Sequence, residues 1–354
     1  MKKLNLIIFL VFALILISCN NDEPNETPVN PDNDVSFITD GVLIINEGLF
    51  GQGNGEISYY DFSTNKVSHQ IFYNINNKLL GDLPYRLAVS DDVAIITVNN
   101  SNKVYIVNLH NFLLLSEYDV PSPREIVFRD LRHIYVSSLT ESYLYVINSI
   151  DNSISKIYCD RPIEQIIEVN SKIYGLAWSN YYSGKANKFV MVIDLVQNQL
   201  IDSIEVGIEP QTIVYKDNYL WVLSTGGYMH EENAKISKIS LDNHQIVHYW
   251  NFPNNNDYPS YLIIRNGKMY FLNNNAIQSA TIDDHNILSI NTLYAASSSS
   301  SLYYLMWDGD DNCFWVSDVK DYMHNGSVYK ISENGELLLT IEAELVPGMI
   351  CRIL

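Results

Sequence analysis

Three arginines recur at comparable places along a chain of 354 residues. Arg86 and Arg124 follow Pro84 and Pro123 within two positions, and Arg161 immediately precedes Pro162. A guanidinium is permanently charged and presents a planar fork of donors, so three on one face would suit a phosphate or carboxylate. The plainer reading is that each pairs with an acid from a neighbouring element. Glu47, Glu125, Glu164 and Arg265 also stand near the ends of apolar segments.

A second group is aromatic and sulfur-bearing: Phe50, Trp178, Tyr181, Tyr182 and two copies of one triplet, Tyr228-Met229-His230 and Tyr322-Met323-His324. Such side chains, set together around a mouth, would suit a large flat or amphipathic ligand, or a protein surface. The plainer reading has them capping strand ends and packing on one another. His230, Glu231, Glu232, Asp318, Asp321 and His324 could ligate a divalent ion if their loops met; otherwise they form a solvated acidic rim. Asp308-Gly309-Asp310-Asp311-Asn312 has some likeness to a calcium loop. Cys313 stands where the turn glycine belongs and no Glu follows at the right offset, so it reads as a hairpin. The chain has no Gly-x-Ser-x-Gly elbow, no His-Glu-x-x-His, no phosphate loop and no Cys-x-x-Cys. No catalytic, cofactor or metal residue is assigned on sequence.

The elements that must position these residues are strands. Segments such as Ala94-Ile-Ile-Thr-Val, Leu144-Tyr-Val-Ile-Asn and Val190-Met-Val-Ile-Asp are rich in β-branched and aromatic residues, and no helical period of useful length is found. The strands fall into groups of four. Pro84, Pro123, Pro162, Pro210 and Pro259 mark the group starts, about 40–50 residues apart, and a serine run ending at Ser301 replaces the sixth. That spacing predicts an all-β, seven-bladed β-propeller of four-stranded blades. Many strands are continuously apolar, as expected when both faces pack against neighbouring blades. The chain enters at Gly41-Val-Leu-Ile-Ile-Asn, a second strand without a first, and ends at Pro347-Gly-Met-Ile-Cys-Arg-Ile-Leu, a first strand without the rest. The C-terminal strand should therefore complete the first blade and close the ring. Loops between second and third strands are long at Leu49–Gly55, Trp178–Asn187, Thr225–Ala234 and Asp318–Gly326, and these carry the aromatic set.

Hydrophobic residues make up 47% and charged residues 18%, a balance that excludes a disordered chain. The formal charge of −19 argues against nucleic acid as a partner and against docking on anionic lipid. Besides Cys19 there are only Cys159, Cys313 and Cys351, without metal-ligand spacing; one disulfide or three free thiols are both compatible.

Residues 1–18 place two lysines before an apolar run that is short for a membrane span. Leu16-Ile17-Ser18-Cys19 resembles the bacterial lipobox, which implies lipidation of Cys19 and an outer-membrane location through that anchor. Residues 19–37, rich in Pro, Asn and acids, read as a flexible tether, and residues 38–354 as the propeller. Asp22 and Glu23 resemble a surface-export signal, which implies display at the cell surface.

The repeat itself resembles the surface-layer type repeat of the quinoprotein-amine-dehydrogenase-like propellers. Ile96-Thr97-Val98-Asn99, Val192-Ile193-Asp194 and Ile204-Glu205-Val206-Gly207 with Pro210 carry the likeness. Asn46-Glu47-Gly48 and Gly53-Asn54-Gly55 through Asp61 resemble the opening of a group of surface lipoproteins of this fold, one distant relative being a surface cobalamin-binding lipoprotein. The resemblance implies a capture protein for a large, cobalamin-like nutrient working with a TonB-dependent transporter. It also leaves open a lactonase- or lyase-type enzyme with His, Glu and Arg around the channel, or a protein-interaction scaffold.

Overall fold

The computed structural model describes residues 38–90, 92–179 and 186–353. They form seven four-stranded antiparallel sheets. Blade one holds β1 (Gly41–Asn46), β2 (Glu56–Asp61) and β3 (Lys66–Ser68). A single helical turn, α1 (Ile71–Asn76), follows it. Blade two is β4 (Pro84–Val89), β5 (Val93–Val98), β6 (Lys103–Asn108) and β7 (Leu114–Asp119). Blade three is β8 (Pro123–Asp130), β9 (His133–Ser138), β10 (Tyr143–Asn148) and β11 (Ser153–Tyr158). Blade four is β12 (Ile163–Val169), β13 (Lys172–Ala177), β14 (Phe189–Asp194) and β15 (Gln199–Glu205). Blade five is β16 (Pro210–Lys216), β17 (Tyr219–Ser224), β18 (Lys235–Ser240) and β19 (Ile246–Asn251). Blade six is β20 (Ser260–Arg265), β21 (Lys268–Asn273), β22 (Ala276–Thr281) and β23 (Ile290–Ala295). Blade seven is β24 (Leu302–Asp308), β25 (Cys313–Asp318), β26 (Asn325–Ser332) and β27 (Leu337–Leu345). The last strand, β28 (Pro347–Ile353), pairs with β1 from Gly41↔Ile353 to Asn46↔Pro347 and becomes the innermost strand of blade one.

The core lies between blades. One cluster joins Ile95, Val104 and Ile106 of blade two to Ile126, Ile134 and Val136 of blade three. The alternate residues of β5, Ala94 and Ile96, face the other way, toward Leu43, Ile45 and Ile57 of blade one. A strand sandwiched on both faces needs apolar residues at every position, which is why the second strands read as unbroken hydrophobic runs. The same arrangement recurs at each blade junction, including blade seven with blade one through Trp315, Val328, Ile44 and Ile350. Each buried Ile or Leu contributes about 1.5–3 kcal/mol.

The helix α1 departs from the sequence reading. Six residues are too few to display a 3.6-residue period. They are held by burial of Ile71 and Phe72 and by Asn76, whose Nδ2 donates to the carbonyls of Phe72 and Phe112 at 2.9 and 3.0 Å. Cys159, Cys313 and Cys351 are all free thiols.

Candidate functional site

Every innermost strand carries the same irregularity. Its pairing with the second strand slips just after the strand begins: between Pro84 and Arg86, Pro123 and Ile126, Ile163 and Ile166, Pro210 and Thr212, Ser260 and Ile263, and Leu302 and Leu305. In β28 the slip falls between Pro347 and Met349. Alternation normally sends successive side chains to opposite faces; an extra residue lets two in a row address one side. Neighbouring pairs therefore line the channel: Tyr85 with Arg86, Glu164 with Gln165, Gln211 with Thr212. Hydroxyls from the second strands brace these slips. Thr97 Oγ1 accepts from the Arg86 amide at 3.1 Å and donates to the Arg124 carbonyl at 2.8 Å in the next blade. Ser137 Oγ accepts from the Glu125 amide at 3.0 Å and donates to the Glu164 carbonyl at 2.6 Å.

The channel holds an interlocked charge cluster. Arg86 Nε donates to Glu125 Oε2 at 3.2 Å, and Arg124 Nη2 pairs with Glu164 Oε1. The centre of the Tyr85 ring is 4.0 Å from the guanidinium carbon of Arg86 and 3.3 Å from that of Arg124. Its hydroxyl donates to Glu164 Oε1 at 3.2 Å. Burial pushes the Glu164 carboxyl up, but Arg124, Arg86 and the Tyr85 hydroxyl outweigh it and hold the group below its usual range. Burial raises the hydroxyls of Tyr85, Tyr261 and Tyr304 well clear of neutral pH. The space left between Tyr85, Arg86, Glu125, Glu164, Gln211 and Tyr261 is about 30 Å³, enough for a water and little more.

Glu47 joins this cluster from outside the innermost strands. It follows β1, and its amide donates to the Val346 carbonyl at 2.8 Å. Its carboxyl lies over Gly348, in the space that a side chain at that position would occupy. Tyr303 Oη donates to Glu47 Oε2 at 3.5 Å, while Oε1 is buried without a partner. Burial is the main influence and lifts this carboxyl from an ordinary 4.5 to about 7; Arg124, Arg86 and Tyr303 pull it back only in part.

Strands alternate in direction, so all second-to-third loops and all blade-to-blade crossings share one end of the ring. On that end stand Phe50, Tyr228, Met229, Tyr322 and Met323, exposed to 76, 66, 74, 47 and 72%. Tyr322 meets Tyr303 edge-on at 5.9 Å and so links the loops to the channel. The two triplets do not share a conformation. His230 is the left-handed residue in the first, Tyr322 in the second. His230 is half-buried against Tyr258, ring centres 6.3 Å apart, whereas His324 is exposed and bonded to Asp321 at 2.7 Å. Trp178 is half-buried, its amide donating to the Pro162 carbonyl. Cys19, Tyr181 and Tyr182 lie outside the described residues.

Of the three arginines, Arg86 and Arg124 come together in the channel and Arg161 does not. Arg161 bonds Asp160 and Asn187 and lies 4.7 Å over the Phe189 ring. Arg265 sits at the far end of β20, on the Trp307 ring and paired with Glu333 at 3.1 Å. The acids considered for a metal are engaged locally. Glu231 accepts from the Met229 amide, Glu232 binds Lys235 and the Ile208 amide, and Asp318 accepts from Ser301, Lys320 and Tyr329. Among the described residues the ligating atoms of Asp308, Asp311 and Cys313 do gather within 4.8 Å. Lys330 and Arg352 already neutralise that group, and burial pushes the Cys313 thiol up to about 12. Sequence reasoning missed Tyr85, Gln211, Tyr261, Tyr303, Tyr304 and Gly348. The available signal was position: Tyr85, Arg124, Gln211 and Gly348 each directly follow a marker proline.

No protein-family model and no curated protein matches the chain. Solved structures match its fold. A quinoprotein alcohol dehydrogenase-like protein from Bacteroides thetaiotaomicron is 16% identical with a TM-score of 0.68, over 89% of this chain and 79% of that one. The periplasmic gluconolactonase of Pseudomonas aeruginosa is 9% identical with a TM-score of 0.62, over 89% and 99%. A functionally unknown protein from Desulfotomaculum acetoxidans is 11% identical with a TM-score of 0.62, over 89% and 99%. At these identities the likeness is one of fold: the chain is a seven-bladed β-propeller, with quinoprotein-like and lactonase propellers among its neighbours.

Proposed function

We propose that this propeller is a lipid-anchored binding protein of the cell surface, which captures a large, partly apolar nutrient of cobalamin-like size and passes it to a TonB-dependent outer-membrane transporter. The observation that carries the reading is the exposure of Phe50, Tyr228, Met229, Tyr322 and Met323 on loops of one end. Large apolar side chains gathered on a rigid scaffold mark a binding face. Titration of the purified protein with cobalamins, haem and glycans, followed by absorbance and calorimetry, tests this. Saturable binding that weakens when Tyr228, Met229, Tyr322 and Met323 are replaced by Ser supports it; silence across the panel overturns it.

A lactonase-type activity is the second reading. Glu47 favours it, because a carboxyl that titrates near 7 is suited to proton transfer at neutral pH. Hydrolysis of aldonolactones, abolished in Glu47→Gln, is the result that would replace the first reading with the second.

A further inference from the structure

We propose that Glu47 is a latch for the loop 47–55, seated over Gly348 when the carboxyl carries its proton and released when it does not, so that the loop-rich end is regulated by pH. This deepens the binding reading by naming a control on the same end of the ring, and rests on it for its purpose.

The seat is built by an omission. Six of the seven innermost strands put a side chain at the residue of the slip, namely Tyr85, Arg124, Glu164, Gln211, Tyr261 and Tyr303; β28 puts Gly348 there. A Cβ at Gly348 would collide with the Cγ, Cδ and Oε1 of Glu47. The carboxyl that fills the gap is poorly held. One contact, to Tyr303, is long, and the second oxygen has no partner although it is sealed from water. A neutral carboxyl tolerates such a place; a carboxylate does not, because its lost hydration is not fully replaced.

The groups around it supply that replacement only in part. From β4 and β8, Arg86 and Arg124 face it; each is paired with a carboxylate, Glu125 and Glu164, and Arg124 Nε is buried without a partner. From β20 and β24 come the neutral hydroxyls of Tyr261, Tyr303 and Tyr304. From β28 come Gly348 and Met349, without charge.

The loop turns on glycines. Gly48, Gly51 and Gly53 all have positive φ, at 74°, 77° and 63°. Backbone bonds hold its ends, Glu47 N to the Val346 carbonyl, Gly48 N to the Leu345 carbonyl and Gly55 N to the Gly81 carbonyl; between Leu49 and Asn54 the bonds are Leu49 N to Asn54 Oδ1, Gly51 N to Asp82 Oδ2 and Gln52 N to the Leu49 carbonyl. Phe50, the most exposed of the five mouth side chains, is carried at its tip.

Amide hydrogen exchange of Leu49, Gly51, Gln52 and Gly55 in the ligand-free protein tests the latch, with Glu47→Gln as the permanently neutral reference. At pH 4 the two proteins should exchange alike. At pH 8 the wild type should exchange at least about tenfold faster than Glu47→Gln, because the seated carboxyl, at about 7, holds its proton more tightly than a released one. Gly348→Ala, which crowds the carboxyl out, should exchange fast at both pH values. Equal rates for wild type and Glu47→Gln at pH 8, or a Gly348→Ala loop as protected as the wild type at pH 4, overturn the latch. Since no ligand is present, a latch that fails leaves the binding reading standing, and a latch that titrates in a protein that binds nothing removes only the binding reading.

Discussion

The carboxyl of Glu47 occupies the place of the side chain that Gly348 lacks. The two residues are brought together by closure of the ring, which sets β28 beside β1. Gly348→Ala is therefore expected to destabilise the protein by about 1–3 kcal/mol, the usual range for forcing atoms into a packed site. In a Glu47→Ala background the same change should cost much less, since the atoms it meets are gone. Denaturant midpoints of the four proteins in this cycle give the coupling.

Stability should depend on pH through Glu47 with a definite sign. The folded carboxyl titrates at about 7 against an ordinary 4.5, so the folded protein holds its proton more tightly than the unfolded chain. The stability it contributes is complete below pH 4.5 and is lost as pH rises through 7, about 3 kcal/mol in all. Glu47→Gln lacks this dependence. The difference in unfolding free energy between the two proteins, measured from pH 4 to pH 8, should grow by that amount in favour of the variant.

Arg124→Met leaves Glu164 facing the channel without its main partner. Breaking a fully sealed pair costs about 3–5 kcal/mol. Channel water reaches Glu164, whose side chain is 29% exposed, so about 2–3 kcal/mol is expected here. Adding Glu164→Gln should recover most of the loss. Thermal or denaturant unfolding of the single and double variants measures both.

Much of the ring was legible before the structure. The prolines 84, 123 and 210 open innermost strands, and Gly41 and Pro347 do belong to one blade. Periodicity carries that information because each blade repeats the same burial. The channel was legible only in part. Arg86 and Arg124 could be picked out by position, but the slip that sets Tyr85 beside Arg86 on one face is a matter of register. The Glu47–Gly348 contact spans almost the whole chain and leaves no local pattern. The repeated Tyr-Met-His triplet misdirects in the opposite sense: like residues sit in loops of unlike backbone conformation, so sequence identity there does not mean equivalent placement.

Burial raises the thiols of Cys159, Cys313 and Cys351 to about 12. At pH 8 the native protein should consequently react very slowly with iodoacetamide, because the thiolate is the reacting form. Cys351, half-buried, should be modified first, and all three should label at once after unfolding. Mass spectrometry of labelled peptides resolves the order.

Removal of residues 347–354 should abolish the native fold. Without β28, the edge of β1 loses its partner along six wholly buried residues, Gly41–Asn46. Ile350 and Ile353 leave the junctions with blades seven and two, at about 1.5–3 kcal/mol each. The Leu87 amide also loses Met349 Sδ, its acceptor at 3.2 Å. Those losses, with the ladder bonds, approach the total stability of an ordinary domain, about 5–15 kcal/mol. An unpaired apolar edge also templates association with other chains. Size-exclusion chromatography should show aggregate in place of the intact protein's peak, and circular dichroism should show no cooperative melt. A peptide of residues 346–354 added during refolding should restore that peak; a truncated chain that melts within a few degrees of the intact one would show that the ring does not depend on this seam.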